Sequence, residues 1–370
     1  AKRGRSVLIL DHANKAGKKI LMSGGGRCNF TNYTVEAENY LSENAHFCKS
    51  ALSRFTQWDF LAMVQDREIP YHEREHGQLF CNESARDILN MLLDACHKAG
   101  VKIQLKTAIS SIQKTAEQFT LQTETETLAC ESLVVATGGL SIPKMGATPF
   151  GYQIAKQFGI AVTPTKAGLV PFTWLATDKE KFAHLSGLAM PVSIHYQDHH
   201  FTENLLFTHR GISGPAVLQI SSYWQEGEVV IIDLLPDIDL RQELLNAQAQ
   251  NLKLKLRNYL SQLLAKKLLA LLISEKLLDL YLADLSYKQI DSITEKIQHW
   301  QVKPNGTEGY RTAEVTLGGV DCHSVSSKTL EAKQVQGLYF VGEVLDVSGW
   351  LGGYNFQWAW ASGWCAGQYV

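Results

Sequence analysis

The sequence predicts an α/β fold in which both ends of the chain build one domain and the middle of the chain forms an insert. Short apolar runs such as Val7 to Leu10 and Leu133 to Val135 are typical of buried parallel strands. From Gly168 the composition changes to strands punctuated by prolines, and a leucine-rich helical region follows from about Leu240 to Trp300. After Thr312 strands and glycines return and continue to the end of the chain.

These changes in composition predict the domain boundaries. The α/β domain has a first part over residues 1–167 and a last part over residues 317–370. The insert between them has three predicted segments, which are a β-barrel-like part over 168–239, a helical part over 240–300 and a return strand over 301–316.

Composition limits the classes of function. The 370 residues are 45% hydrophobic, and 35 basic against 37 acidic residues leave a formal charge of -2. A balance of this kind gives no general attraction to polyanions, so we expect no nucleic-acid partner and no membrane partner. The seven cysteines are scattered without a C-x-x-C pair, so we expect a cytoplasmic protein without disulfides or a metal site.

The first strand ends in an acidic residue, Asp11. In a dinucleotide-binding βαβ unit, an acidic residue at the end of the second strand binds the ribose hydroxyls, and a G-x-G-x-x-G turn lies about 20 residues before it. The sequence begins too late to contain that turn. We therefore expect an amino-terminal strand and a phosphate loop outside this sequence.

The elements that follow are predicted from periodicity and from helix start and stop signals. We predict a helical region from about His46 to Gln65, a strand over Gln78 to Cys81, a helix from about Ser84 to Lys98, a β-meander over Val101 to Glu131, and a helix that begins at Pro149 and ends near Gly159.

A glycine loop, LMSGGGRCNFTN, covers Leu21 to Asn32. Consecutive glycines adopt backbone angles that other residues avoid and let a ligand approach the main chain, at a cost in conformational entropy. This loop is therefore a candidate binding segment.

The carboxy-terminal stretch combines a buried strand, a glycine-rich crossing and the start of a helix. The strand GLYFVGEV delivers Gly342 and Glu343 at its end, and Gly349, Gly352 and Gly353 precede a helix that runs to the terminus. Free N–H groups and the helix dipole at such a helix start attract an anion or a carbonyl group. A tight turn with a capped helix explains one or two of these glycines, but not all of them.

Five strings between Lys18 and Gly363 carry a resemblance to a known family: KKILMSGGGRCNFTN, VVATGG, FTHRGISGPAVLQIS, TLGGV and GLYFVGEVLDVSGWLGGYNFQWAWASG. They resemble the motif set of a bacterial flavoprotein family labelled aminoacetone-oxidase-like or BaiN-type, which belongs to the flavoproteins with two dinucleotide-binding motifs. The resemblance implies a Rossmann-like FAD-binding domain built from both chain ends. The absent phosphate-binding turn is a departure from the family pattern.

The resemblance also implies a set of FAD-binding residues, with Arg27 near the phosphates or a substrate carboxylate. The set is Asp11, Lys19, Ser23, Gly24, Gly25, Gly26, Arg27, Cys28, Asn29, Ala136, Thr137, Gly138, Gly319, Gly342, Glu343, Asp346, Gly352, Gly353, Tyr354 and Asn355. Cys28 has no second cysteine nearby in sequence, so we predict a packed residue there, not a redox thiol.

Three residues are candidates for catalysis. His209 and Arg210 precede a glycine-rich turn and would present a proton donor and an anion clamp, whereas a structural role is the alternative for an isolated histidine. Tyr354 would stack or donate a hydrogen bond, or only pack. The basic residues Lys253 and Arg257 of the leucine-rich region could hold RNA or a partner, but we favour a solvated helix face.

The resulting functional expectation is an FAD-dependent oxidoreductase that transfers hydride or electrons between a small organic substrate and NAD(P)H or oxygen. The family resemblance implies small amines or enone-like compounds as substrates. The alternative is a non-catalytic FAD-binding protein with a structural or redox-sensing role and an interaction insert. The oligomeric state stays open.

Overall fold

The computed structural model describes residues 1–250 and 253–370. Its strands, in chain order, are β1 (Leu8–Asp11), β2 (Asn29–Asn32), β3 (Tyr40–Leu41), β4 (Tyr71–Arg74), β5 (Gln78–Cys81), β6 (Lys102–Leu105), β7 (Ile109–Lys114), β8 (Phe119–Thr123), β9 (Thr127–Cys130), β10 (Leu133–Val135), β11 (Lys166–Gly168), β12 (Phe172–Thr173), β13 (Ala189–Tyr196), β14 (His199–Phe207), β15 (Gly211–Ser213), β16 (Val230–Asp233), β17 (Trp300–Val302), β18 (Gly306–Thr307), β19 (Val315–Leu317), β20 (Leu338–Phe340) and β21 (Ser348–Gly349).

The α-helices, in chain order, are α1 (Lys18–Met22), α2 (Phe47–Arg54), α3 (Gln57–Gln65), α4 (Ala85–Lys98), α5 (Phe150–Gln157), α6 (Ala176–Phe182), α7 (Pro215–Ser221), α8 (Leu240–Ala249), α9 (Leu256–Leu260), α10 (Lys266–Leu272), α11 (Glu275–Leu278), α12 (Tyr287–Gln298) and α13 (Tyr354–Gly367).

The chain divides into two compact units. The first unit contains Ala1–Lys166 and Val315–Val370, and the second contains Ala167–Glu314. Both chain ends therefore belong to one α/β unit, and the predicted α/β fold class is confirmed. The predicted helical part of the insert includes Asn251 and Leu252, which lie outside the described residues.

The first unit contains two parallel strand pairs. Strand β1 pairs with β6, and β10 pairs with β20. Leu8 and Ile9 are each 40% exposed, although parallel strands are usually buried on both faces. Because consecutive strand residues point to opposite faces, neither face of β1 is fully covered by the described residues.

The predicted β-meander over Val101 to Glu131 is wrong in its first strand. The meander itself consists of β7, β8 and β9, whereas β6 pairs in parallel with β1. Alternation of apolar and polar residues identifies a strand, but it does not show which strand will pair with it.

The predicted helical region from His46 to Gln65 consists of two helices. Helix α2 ends at Arg54, and α3 begins at Gln57 after the N-cap residue Thr56. The Thr56 hydroxyl accepts a hydrogen bond from the Asp59 N–H, and the Asp59 side chain accepts one from the Thr56 N–H. This capping box is visible in the sequence as T-Q-W-D and explains the break.

Two other predicted elements are confirmed with small shifts at their ends. Helix α4 begins at Ala85 with Ser84 as its N-cap residue. Helix α5 begins at Phe150, so that Pro149 is its N-cap residue and not its first helical residue.

Helix α13 is the central helix of the core of the first unit. The Trp358 side chain is 1% exposed, and the Trp360 ring stacks on the Phe60 ring with 4.7 Å between the centroids. The Thr31 hydroxyl donates to Gln357 Oε1 at 2.8 Å, so a buried hydrogen bond also ties α13 to β2. Aromatic burial on this scale dominates the energetics of a core.

The second unit contains a seven-stranded antiparallel sheet in the order β17-β16-β13-β14-β15-β12-β18. The two edge strands are β17, which ends at Val302, and β18, which begins at Gly306. The chain segment that joins them therefore spans at most about 15 Å. Seven flat strands would separate those edges by about 29 Å. The sheet must therefore curl, as its predicted barrel-like form requires.

The helices α8 to α12 form the helical part of the second unit and share one apolar core with the sheet. Fully buried members of this core include Ile232, Leu244, Leu260, Leu268 and Ile293. Among the described residues, no helix has the length and apolar character that crossing a membrane requires.

Candidate functional site

The two glycine-rich segments that the sequence singles out contact each other in the first unit. Asn32 Nδ2 donates to the Gly352 carbonyl oxygen at 2.9 Å, and Trp360 Nε1 donates to the Phe30 carbonyl oxygen at 2.9 Å. At Gly353, a Cβ atom would lie 2.5 Å from the Thr31 carbonyl oxygen. Only glycine permits this approach, which sets the start of α13 against β2.

The glycine loop adopts a conformation that favours glycine at three consecutive positions. Gly24, Gly25 and Gly26 have φ values of 57°, 65° and 87°. A Cβ atom at Gly24 would lie 2.8 Å from Phe80 Cε1, whereas one at Gly25 would meet no atom within 4 Å. One side of the loop is therefore packed on the protein, and the main chain at Gly25 is open to a ligand.

Glu343 is the centre of a polar network at the end of β20. Its Oε2 atom accepts a hydrogen bond from Lys19 Nζ at 3.1 Å, and its Oε1 atom accepts one from the Thr316 N–H at 2.9 Å. Ser141 joins this network, because its hydroxyl accepts from Lys19 Nζ at 2.8 Å and lies 3.3 Å from Glu343 Oε1. The Glu343 side chain is 17% exposed. Its carboxylate is therefore fixed by hydrogen bonds but still partly accessible to solvent.

The two glycines after β10 complete this network. A Cβ atom at Gly139 would lie 2.4 Å from Thr316 Oγ1 and 2.8 Å from Glu343 Oε1, so a side chain there would displace both groups. Gly138 has a φ of 71°, and the nearest atom to a Cβ there would be Glu343 Oε2 at 3.8 Å. The main chain at Gly138 is thus open beside the carboxylate.

This set of residues fits a bound dinucleotide. Open main chain at Gly25 and Gly138 allows close approach of a ligand, as in glycine-rich nucleotide loops. Glu343 and Lys19 add a fixed carboxylate and a half-exposed ammonium group, which are suited to ribose hydroxyls and to phosphates.

Asn355 fixes the crossing that leads into α13. Its side chain accepts from the Gly349 N–H at 2.8 Å and donates to the Gly349 carbonyl oxygen at 2.8 Å. With the Asn29 amide oriented by its hydrogen-bond partners, Asn29 Oδ1 accepts from the Gly353 N–H at 3.3 Å. The predicted residues Asn29, Gly352, Gly353 and Asn355 thus lie together at the start of the helix, and their cofactor contacts stay a prediction.

Three other predicted cofactor residues have identifiable structural partners. Asp346 is 4% exposed, and its Oδ2 atom accepts from the Glu43 N–H at 2.9 Å. Burial raises the pKa of the Asp346 carboxyl. Gly319 lies so close to Val344 that a Cβ atom would be 2.7 Å from the Val344 carbonyl oxygen. Gly342 donates its N–H to the Ser362 hydroxyl at 2.9 Å.

The remaining predicted cofactor residues lie at strand ends and in the loop. Asp11 Oδ1 accepts from the Ala13 N–H at 2.8 Å at the end of β1. Ser23 donates its hydroxyl to the Ile20 carbonyl oxygen, and Arg27 is exposed. Ala136 and Thr137 follow β10 directly.

Cys28 is a buried thiol. It is fully buried with a φ of 50°, and burial raises its pKa to about 11. The thiolate is the reactive form of cysteine, so a pKa in this range leaves Cys28 unreactive near neutral pH. This agrees with the predicted packing role.

The three predicted catalytic residues lie in different units. Tyr354 is 6% exposed in the first unit, and its hydroxyl lies 3.4 Å from Thr34 Oγ1. His209 and Arg210 lie in the second unit between β14 and β15, where His209 is exposed and Arg210 forms an ion pair with Glu308 at 3.5 Å. Their roles in catalysis stay predictions.

The sequence analysis missed Ser141 and Thr316. Both belong to the Glu343 network, Ser141 lies two residues after the string A-T-G-G, and Thr316 is the first residue of the string T-L-G-G. Their proximity to these glycines was the available signal. Their role depends on tertiary contacts that spacing along the chain does not show.

Comparison with known proteins yields one family match. A family model described as HI0933-like protein Rossmann domain matches residues 1–369 of this chain.

Curated relatives also match nearly the whole chain. A protein of Escherichia coli (strain K12) named ribosomal RNA dihydrouridine synthase is 54% identical over 99% of this chain and 92% of the relative. A protein of the same name from Haemophilus influenzae (strain ATCC 51907 / DSM 11121 / KW20 / Rd) is 54% identical over 98% of this chain and 92% of its own. A 3-dehydro-bile acid delta(4,6)-reductase of Clostridium scindens (strain ATCC 35704 / DSM 5676 / VPI 13733 / 19) is 28% identical over 98% of this chain and 92% of the reductase.

Proposed function

The chain belongs to the HI0933-like Rossmann flavoprotein family, and on that premise we propose that it is an FAD-dependent enzyme that reduces uridine to dihydrouridine in ribosomal RNA. The observation that carries the proposal is the 54% identity, over almost the whole chain, to two proteins named for this reaction. The fixed Glu343 network beside open glycine main chain supports it, because such an arrangement fits the cofactor that a reduction of this kind needs.

Two expectations from the sequence need correction. The predicted small organic substrate and the predicted absence of a nucleic-acid partner are wrong, because the relatives at 54% identity are named for a reaction on ribosomal RNA. The expectation of no nucleic-acid partner rested on the formal charge of -2, but a sum over 370 residues says nothing about local basic groups at a binding site. The predicted flavoprotein family is confirmed, and enzyme status is supported.

The proposed reaction saturates the C5=C6 bond of uracil with one hydride and one proton. Two electrons are needed, and we propose NAD(P)H as their source, so that uridine, NAD(P)H and one proton give dihydrouridine and NAD(P)⁺. FAD would supply hydride transfer when bound. The protein then has to bind the flavin, exclude water, position the uracil ring and deliver the proton.

We assign flavin binding to the glycine loop and to the residues around Glu343. Gly25 and Gly138 would let the dinucleotide approach the main chain, because a Cβ atom at Gly25 would meet no atom within 4 Å and one at Gly138 would meet only Glu343 Oε2, at 3.8 Å. Glu343 would accept hydrogen bonds from hydroxyl groups of the cofactor, while Lys19 keeps the carboxylate oriented at 3.1 Å. The other predicted cofactor residues extend this proposed surface along β2 and the start of α13.

His209 is the proposed proton donor. Its side chain is exposed and makes no hydrogen bond with the described residues, so both ring nitrogens are open to a substrate. Arg210 is proposed to clamp an anionic group of the substrate next to it. The Tyr354 hydroxyl lies beside Thr34 in a buried position, so we assign it to positioning at the start of α13.

The test is product formation by the holoenzyme. FAD-loaded protein and NAD(P)H are incubated without oxygen with ribosomal RNA from cells that lack this modification, and the nucleosides are then analysed by mass spectrometry. We expect one uridine in the RNA to gain two hydrogens, and we expect no gain when NAD(P)H is left out. Unchanged RNA in the presence of fully reduced flavin would refute the proposed function.

A further inference from the structure

Strand β4 forms the outer edge of the sheet that carries the glycine loop. The order of this sheet is β2-β5-β4. His72 lies opposite Phe80, and Arg74 lies opposite Gln78, while Asn29 lies opposite Phe80 on the other side. Residues that lie directly opposite in neighbouring strands share a face, and so do alternate residues along one strand. His72, Arg74, Gln78, Phe80 and Asn29 therefore point to one face of the sheet.

The same face supports both halves of the candidate site. A Cβ atom at Gly24 would lie 2.8 Å from Phe80 Cε1, so the glycine loop rests on the Phe80 ring. A Cβ atom at Gly352 would lie 3.1 Å from Gln78 Cγ, so the crossing before α13 rests on the neighbouring side chain of β5. Arg74 and His72 are thus the side chains at the open edge of this site.

Arg74 is held in position by its neighbours. Its guanidinium carbon lies 4.3 Å from the centroid of the Phe80 ring, and its Nε atom donates to His72 Nε2 at 3.3 Å. His72 Nδ1 lies 2.7 Å from Asn82 Oδ1. Because Nε2 accepts from Arg74, the imidazole proton belongs on Nδ1, where it is donated to Asn82. The hydrogen bonds therefore run from Arg74 to His72 and from His72 to Asn82.

The charge of Arg74 is not neutralised by the protein. No carboxylate lies within ion-pair distance of its guanidinium group among the described residues, and the side chain is exposed. Glu73, which precedes Arg74 in β4, points to the opposite face of the sheet. With Nε used by His72, the two Nη groups stay available, and they match two oxygens of a phosphate group.

We propose that Arg74 binds a backbone phosphate of the RNA substrate beside the uridine that is reduced, and that His72 and Asn82 position it for this contact. The inference rests on the proposed function, since it assigns the RNA contact of that same site. An arginine that is already fixed over an aromatic ring loses less side-chain entropy on binding than a freely rotating one. Phosphate contacts of this kind set the register of a nucleic acid without reading its sequence.

The experiment measures the affinity of the FAD-loaded protein for a ribosomal RNA fragment at several salt concentrations. Arg74→Ala should raise Kd roughly tenfold, the effect of losing one charge-assisted contact. The slope of log K against log salt should fall by about 0.7, as expected for one phosphate contact fewer with single-stranded RNA. His72→Phe keeps a ring on Phe80 but removes the acceptor, and should raise Kd about threefold.

Arg54 provides a matched control. Its guanidinium carbon also lies over aromatic rings, 5.8 Å from Trp364 and 5.4 Å from Tyr369, but near the far end of α13. Trp364 is ten residues beyond the start of the helix, which is about 15 Å along its axis. Arg54→Ala should leave both the RNA affinity and the salt slope unchanged.

The outcomes separate this inference from the proposed function. If the unmodified holoenzyme neither binds ribosomal RNA nor forms dihydrouridine, the proposed function fails. If it does both, but Arg74→Ala and Arg74→Gln keep its Kd and salt slope, the assignment of Arg74 is overturned. Arg74→Gln keeps the Cβ, Cγ and Cδ carbons and a polar end group but loses the guanidinium group and its charge, so it replaces the alanine variant if that variant does not fold.

Discussion

Two pairs of histidine and arginine in this molecule are held in different ways. In the first unit, His72 and Arg74 are bonded to each other, and Asn82 occupies the second nitrogen of the imidazole. In the second unit, His209 is exposed without a described hydrogen bond, and Arg210 shares its charge with Glu308. The residue types are the same, but the groups left free for a substrate differ.

This difference separates two kinds of chemistry. An imidazole with both nitrogens hydrogen-bonded orients its neighbour, whereas an imidazole without protein partners can offer a ring nitrogen to a substrate. An arginine without a carboxylate partner keeps its charge for an anion, whereas an ion-paired one has part of that charge compensated. We therefore expect the stronger RNA contact from Arg74, a weaker one from Arg210, and proton transfer from His209.

The largest effect expected in this comparison is on proton transfer. His209→Gln should lower kcat about 100-fold, since a positioned proton donor contributes at least this much, while the Kd for RNA stays the same. Single-turnover rates and binding isotherms measure the two quantities. His184→Gln is the control, because His184 is another exposed histidine of the second unit. A kcat within twofold of the unmodified enzyme would remove His209 from the mechanism.

The next effect concerns carboxylates that pair with cations in the two units. Glu343→Gln removes the charge that holds Lys19 and should raise the Kd for FAD about tenfold, through lost charge-assisted hydrogen bonds. Flavin fluorescence titration gives this value. Glu308→Gln removes the carboxylate shared by Arg210 and Arg311 and should leave FAD affinity unchanged. Equal effects of the two variants would contradict the assignment of Glu343.

A smaller effect is expected at Arg210. Because Glu308 already compensates its charge, Arg210→Ala should weaken RNA binding by less than about threefold and destabilise the fold by about 1 kcal/mol or less. Arg74→Ala, measured in the same salt titration, should show the larger increase in the Kd for RNA. An Arg210 variant that binds RNA as weakly as the Arg74 variant would contradict the proposed difference between an ion-paired arginine and an unpaired one.

The smallest effect is a pH dependence of stability at Asp346. Burial raises the pKa of this carboxyl in the folded state above its value of about 3.9 in the unfolded chain. Its favourable contribution is therefore present at low pH and is lost as pH rises through the folded-state pKa, where the buried carboxylate ionises. Asp346→Asn keeps an acceptor for the Glu43 N–H but cannot ionise.

The stability of Asp346→Asn relative to the unmodified protein should therefore be greater at about pH 7 than at about pH 4. Thermal unfolding at both pH values, with FAD at the same saturation, measures it. A difference that does not change with pH would show that Asp346 does not titrate in this range. A loss of FAD affinity in the same variant would instead support its predicted cofactor contact.

The sequence was most informative where the backbone itself is constrained. The three positive φ values at Gly24 to Gly26 favour glycine, and the close approach of Gly353 to Thr31 leaves no room for a Cβ atom, so both segments carry glycines that are visible in the sequence. For this reason both segments of the candidate site were recognisable before their contact was known. The resemblance to a flavoprotein family followed from the same strings and is confirmed.

The parts that sequence could not supply depend on distant contacts. The parallel pairing of β6 with β1 and the hydrogen bond between Ser141 and Glu343 join residues more than 90 positions apart. The contacts of Arg74 with His72 and Phe80 are local in sequence. The position of Arg74 beside the candidate site, however, depends on the contact between Gly24 and Phe80. The proposed RNA substrate is not visible in a formal charge that is summed over the whole chain.

The most direct test of the central claim is a single turnover with reduced enzyme. FAD-loaded protein is reduced with one equivalent of NAD(P)H without oxygen and mixed with unmodified ribosomal RNA, while flavin absorbance and dihydrouridine content are followed together. We expect the flavin to be reoxidised at the rate of dihydrouridine formation, with one dihydrouridine for each flavin reoxidised. Flavin that stays reduced in the presence of bound RNA would contradict it.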